Sequence, residues 1–144
     1  MKELIHLDCT LRDGGYYNSW DFDDELVNDY LKSMDEASVD FVELGFRFLE
    51  NKTFYGPYAF TSDSFLEALD IPSNLKIGVM INGADLISGN NDPNKLIKHL
   101  VPKYAHESPV KLVRLACHLK DIPQIIPCTK YLKDRGYLIG FNVM

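Results

Sequence analysis

The chain has 144 residues, 46% hydrophobic and 12% aromatic, which is enough for one ordinary domain with its own core and excludes a disordered segment. Its 21 acidic and 15 basic residues give a net charge of −6, and the Lys and Arg residues are scattered, so nucleic acid and anionic membranes are poor partners. No apolar run approaches the roughly 20 residues of a membrane span, and the start lacks the basic and apolar regions of a signal peptide; the cytoplasm is the expected compartment. Cys9, Cys117 and Cys128 show no CxxC spacing and are expected as buried free thiols rather than a disulfide framework or a zinc site.

In chain order, residues 5–12 alternate, with Ile5, Leu7, Cys9 and Leu11 apolar and His6, Asp8, Thr10 and Arg12 polar, which predicts a strand running into a glycine turn at Gly14 and Gly15. Asp23 or Asp24 can cap a helix that buries Leu26, Val27, Tyr30, Leu31 and Met34. Residues 39–46 (VDFVELGF), 75–81 (LKIGVMI) and 111–117 (KLVRLAC) are short, β-rich strands, with helices expected at 64–69 and 93–101. Asp121 and Pro123 open a further helix carrying Ile125, Ile126 and Leu132 that ends near Gly136, and residues 137–144 (YLIGFNVM) form a fifth strand. Residues 47–63, rich in Phe, Tyr, Gly and Pro, read as a long loop.

Strands and helices alternating at intervals of roughly 30 residues predict βαβ units and a parallel sheet. Each strand offers one apolar row, such as Ile77, Val79 and Ile81 or Ile139, Phe141 and Val143, and one row that includes polar groups. The second kind holds Asp8 and Arg12, then Phe41, Glu43 and Gly45, then Met80 and Asn82, then Arg114, Ala116 and His118, and finally Gly140 and Asn142. A doubly wound sheet, covered on both sides, would be nearly continuous in apolar residues. The asymmetry fits a (β/α)8 barrel better, with apolar rows under the outer helices and mixed rows in the lumen, and chemistry at the carboxyl ends of the strands where Arg12, Asp13, Asn82, His118 and Asn142 fall.

The segment LDCTLRDG at residues 7–14, followed by Glu43 in FVELGF and by RLACHLKD at residues 114–121, resembles the DRE-TIM metallolyase family. That family includes 4-hydroxy-2-oxovalerate aldolase, hydroxymethylglutaryl-CoA lyase and the homocitrate and isopropylmalate synthases; the third segment is most similar to the aldolases. The resemblance implies a metal-dependent aldolase or lyase acting on a 2-oxo acid. It makes Asp13 a ligand of Mn²⁺ or Mg²⁺, Arg12 the group that meets the enolate oxygen, and Glu43 a support of the metal shell or substrate. Hard cations of this kind prefer oxygen ligands, and a guanidinium stays charged while negative charge develops beside it. Asp8, Asn82, Arg114, His118 and Asn142 are the further lumen candidates.

Two positions depart from the family. Its metal site is completed by a His-x-His pair, and none of His6, His99, His106 or His118 has that spacing. Three residues after the aspartate, where the aldolases carry histidine and the acyl-CoA enzymes glutamine, stands Tyr16, a candidate proton carrier beside Tyr17.

A complete barrel needs roughly 250 residues, whereas this chain holds about four and a half βα units. The expectation is a partial aldolase-type domain over residues 1–144, cut within its fifth strand, inactive alone and prone to self-association through its open edges. Claisen chemistry with an acyl-CoA is the enzymatic alternative. A non-catalytic binding or assembly domain on the same scaffold is the alternative of another class.

Overall fold

The computed structural model describes residues 4–50 and 52–144; residue 51, inside the predicted loop, lies outside the described residues. Five parallel strands, β1 (Leu7–Asp8), β2 (Phe41–Phe46), β3 (Lys76–Asn82), β4 (Val110–Cys117) and β5 (Leu138–Val143), pair in chain order. Between them run α1 (Thr10–Asn18), α2 (Asp24–Glu36), α3 (Asp63–Glu67), α4 (Gly83–Ile87), α5 (Pro93–Leu100) and α6 (Ile122–Asp134). The sheet curls into a half-barrel, the architecture of the amino-terminal part of a (β/α)8 barrel.

Local chemistry accounts for the elements. The Asp23 carboxylate accepts from the backbone N–H groups of Glu25 and Leu26, capping α2, whose Val27 and Leu31 are fully buried. Pro123 stands in the first turn of α6, where its missing N–H costs no helical bond, and Gly136 at φ +84° follows the helix end. Ile77, Val79 and Ile81 of β3 and Val113 and Leu115 of β4 are buried in one apolar core with Ile125 and Leu132 of α6. Among the described residues no helix is long and apolar enough to cross a membrane.

Several details differ from the sequence expectation, among them the unexpected short α4. β1 is short, and Leu7 pairs with Phe41 while Asp8 pairs with Val42, so Asp8 shares the side of the buried outer row. Its carboxylate accepts from Tyr30 of α2 and from Thr10, and Leu7 and Cys9 take the lumen side instead.

Residues 10–12 are the first turn of α1 rather than the end of a strand, and Gly14 and Gly15 lie inside that helix rather than in a turn. The 100° step of a helix, not strand alternation, therefore sets where Arg12 points. An irregularity between Glu43 and Gly45 breaks the alternation in β2, so that Phe46, paired beside Met80, joins Glu43 on the lumen side. Gly45 faces outward, where a Cβ would stand 1.9 Å from the carbonyl oxygen of Tyr58.

The outer row of β5 is only partly covered, with Phe141 and Val143 exposed. Residues 47–50 and 52–62 form the expected loop, with one 3₁₀ turn, Pro57–Ala59, and an anchor in buried Arg47. That guanidinium donates to Thr61 O, Leu100 O and the Asp63 carboxylate at 2.8–2.9 Å.

Candidate active site

Arg12, just past the end of β1, meets Glu43 and Arg114 from the middle of β2 and β4. Glu43 is completely buried, and its Oε1 accepts from Arg12 Nε at 2.7 Å and from Arg114 Nη1 at 3.0 Å. Arg114 Nη1 also reaches Oε2 at 3.2 Å, and its Nη2 donates to the Asn142 carboxamide at 3.2 Å. A buried carboxylate survives when its charge is paired and its lone pairs are filled, and two guanidinium forks do both. Burial of Arg12 works against its charge, but the hydrogen bond and negative charge of Glu43 outweigh it and hold the guanidinium above its ordinary pKa.

Arg12 is 7% exposed and is fixed from a second direction as well, since Trp20 Nε1 donates to its backbone carbonyl at 2.9 Å. Close packing of the indole explains Gly15: a Cβ there would lie 1.9 Å from Trp20 Cδ1. Cys9 Sγ lies 3.3 Å from Arg114 Nη1, and burial followed by the charge of Glu43 pushes its thiol pKa up, so it stays protonated at neutral pH.

Above this cluster opens a cavity of about 430 Å³ whose walls include Arg12, Tyr16, Trp20, Phe46, Asn82 and Asn142. Tyr16 is 65% exposed and packs edge-on to Trp20 with ring centroids 4.8 Å apart. A neighbouring cavity of about 370 Å³ shares Phe48, Tyr55 and Asn82 with the first and adds Asp85, whose carboxyl pKa burial raises.

The expected residues divide accordingly. Arg12, Tyr16, Asn82 and Asn142 line the cavity, and Glu43 and Arg114 form the ion-pair cluster beside it. Asn82 also caps α4, accepting from Ala84 N at 3.3 Å and donating to Asp85 at 3.0 Å. Asp8 is turned to the helical layer, as described above. His118 stands just past β4, exposed, and is neither a core histidine nor part of the cavity wall. Trp20, Phe46, Phe48 and Tyr55 had no place in the expected site; the density of aromatic residues from 46 to 60 was the only trace of the last three, and nothing in the sequence marked Trp20.

Asp13 pairs with the Arg12 guanidinium through one oxygen, and its side chain is 64% exposed. Among the described residues no three His, Cys, Asp or Glu side chains gather as a metal ion would require. Glu43 is already filled by two arginines, so Asp13 is the one carboxylate of this cluster open to a cation, and a lone exposed carboxylate holds a divalent ion only weakly. These residues by themselves do not build a metal site.

No protein-family model matches the chain, and no curated protein matches it significantly. Among solved structures it is similar to the N-terminal domain of a "putative aldolase" from Bacteroides vulgatus, at 35% sequence identity and a TM-score of 0.85. The match covers 98% of this chain and 44% of that one, so the chain spans less than half of the relative's length. What the likeness establishes is an aldolase-like partial barrel.

Proposed function

We propose that this chain supplies the first half of the active site of an aldolase that breaks or makes a carbon–carbon bond next to a 2-oxo acid. The observation that carries the reading is Arg12: a permanently charged fork, buried, held at 2.7 Å by Glu43, and forming part of the wall of a cavity at the carboxyl ends of the strands. The similar Bacteroides vulgatus protein supports it.

In the cleavage direction the substrate is a 4-hydroxy-2-oxo acid. The 4-hydroxyl gives up its proton to a base, the C3–C4 bonding pair moves toward the C2 oxygen as an enolate, and the aldehyde departs. The enolate then takes a proton at C3 to give pyruvate. Arg12 meets the negative charge on the enolate oxygen with donors whose orientation Glu43 has already set, so little reorganisation is needed as charge develops. Tyr16, at the cavity wall on α1, is the proton carrier of this reading. A divalent cation, Mn²⁺ or Mg²⁺, belongs to the same reading, with Asp13 as its ligand from this chain.

The test is release of pyruvate from 4-hydroxy-2-oxo acids by the full-length protein that carries this chain, with Mn²⁺ supplied. Arg12→Lys is expected to lower kcat/KM roughly 10²–10³-fold, the cost of losing one aimed donor, with circular dichroism unchanged. Inactivity of the wild-type protein toward every such acid would overturn the proposal.

A further inference from the structure

The cavity beside Arg12 is walled on one side by rings. Trp20 is the hub, with centroids 5.4 Å from Phe46, 5.2 Å from Phe48 and 5.4 Å from Tyr55, all edge-to-face, and Phe46 and Phe48 are stacked at 4.3 Å. Trp20 and Phe46 are core residues whose packing the fold needs in any case. Phe48 and Tyr55 are only partly buried, and together with Tyr16 they carry the aromatic surface out of the core and into the cavity. The Arg12 guanidinium carbon lies 5.8 Å from the Phe46 ring centroid, so the charged floor and the ring wall are contiguous.

Two of the polar side chains on the same walls are engaged with the protein: Asn82 with Ala84 and Asp85, and the Asn142 carbonyl with Arg114. An aromatic ring placed against this wall would extend the edge-to-face array. At about 430 Å³ the space falls within the roughly 300–1,000 Å³ of sites that enclose whole small ligands with a few polar groups to orient them.

We infer that the cavity is a binding site for 2-oxo acids with an aromatic tail, the carboxylate and keto end at Arg12 and the ring against Phe46, Phe48 and Tyr55. This rests on the aldolase reading for its head group and adds the substrate class, so that the aldehyde released or taken up is an aryl one rather than a short aliphatic or a polyhydroxylated one.

Binding to the full-length protein, measured calorimetrically with two analogues that lack the 4-hydroxyl and cannot be cleaved, tests it without turnover. 2-Oxo-4-phenylbutanoate is expected to bind at least ~10-fold more tightly than 2-oxopentanoate, since ring packing and apolar burial both favour it. Phe48→Ala and Tyr55→Ala should each bring that ratio toward one, with folding followed by far-ultraviolet circular dichroism. Affinities within twofold of each other, no binding of either analogue, or a ratio unchanged in folded variants would overturn the inference. The wild-type comparison decides even if both variants misfold. Pyruvate release without an aryl preference would leave the aldolase reading standing alone, and an aryl preference in binding without release from any 4-hydroxy-2-oxo acid would leave only the binding site.

Discussion

Arg12, at the start of α1, and Arg114, on β4, donate to the same carboxylate oxygen of Glu43, at 2.7 and 3.0 Å. One buried anion thus orients two cations from opposite ends of the chain, and the first and fourth units of the half-barrel are tied together across the lumen.

Removing the charge of Glu43 leaves two poorly solvated guanidinium groups facing each other. Glu43→Gln keeps the volume but not the compensation, and is expected to cost about 3–5 kcal/mol. Urea unfolding monitored at Trp20 measures it; a loss below about 1 kcal/mol would show that solvent reaches the cluster more freely than the complete burial of Glu43 implies.

The adjacent glycines of α1 should respond in opposite directions. At Gly14 the nearest atom to an added Cβ is Phe22 Cζ at 3.9 Å, so alanine fits and gains the helix-interior advantage of roughly 0.5–1 kcal/mol. At Gly15 the same methyl meets the Trp20 ring at 1.9 Å, and Gly15→Ala should cost about 1–3 kcal/mol with a shift in tryptophan emission. Equal melting temperatures for the two variants would contradict this packing.

Much of this architecture was legible from alternation alone. Ile77, Val79 and Ile81 share a buried outer row, and Glu43, Asn82, Arg114 and Asn142 fall on the lumen side as the period of two requires. The pattern failed where the backbone changes period without an obvious polar signal. In residues 5–12 the helix begins at Thr10 with no side-chain cap at Cys9, so a strand and a helical first turn share one alternating string, and the alternation misplaces Asp8 by one face. In β2 the irregularity before Gly45 reverses the alternation, which hid Phe46 as a cavity wall. The aromatic wall itself depends on Phe48 and Tyr55 returning over the strand ends, a tertiary event that composition alone does not encode.

Asp63 should contribute to acid sensitivity. Burial would raise this carboxyl, but the hydrogen bond from Ser108 and the charge and hydrogen bond of Arg47 outweigh it and hold its pKa below the ordinary value. A carboxyl whose folded pKa lies below its unfolded value near 3.9 contributes stability that is fully present above that value and is lost as pH falls through the folded pKa. Wild type and Asp63→Asn should therefore differ by a constant amount above about pH 5 and converge below about pH 4. Urea midpoints from pH 3 to 7 provide the comparison; a gap that widened on acidification would reverse the assigned direction.

Asp13 offers the sharpest separation between a residue that holds Arg12 and one that holds a metal. With one open carboxylate in the cluster and no group of three His, Cys, Asp or Glu ligands among the described residues, this chain alone should bind Mn²⁺ only as weakly as an isolated surface carboxylate does. In a longer protein that carries the sequence and completes the coordination, Asp13→Asn should weaken Mn²⁺ by at least ~10-fold, the scale seen even for groups that merely orient metal ligands. Electron paramagnetic resonance of free Mn²⁺ reads both cases directly. Unchanged Mn²⁺ affinity in the longer Asp13→Asn protein, with Arg12→Lys still impaired in turnover, would assign Asp13 to orienting the guanidinium and remove it from any metal shell.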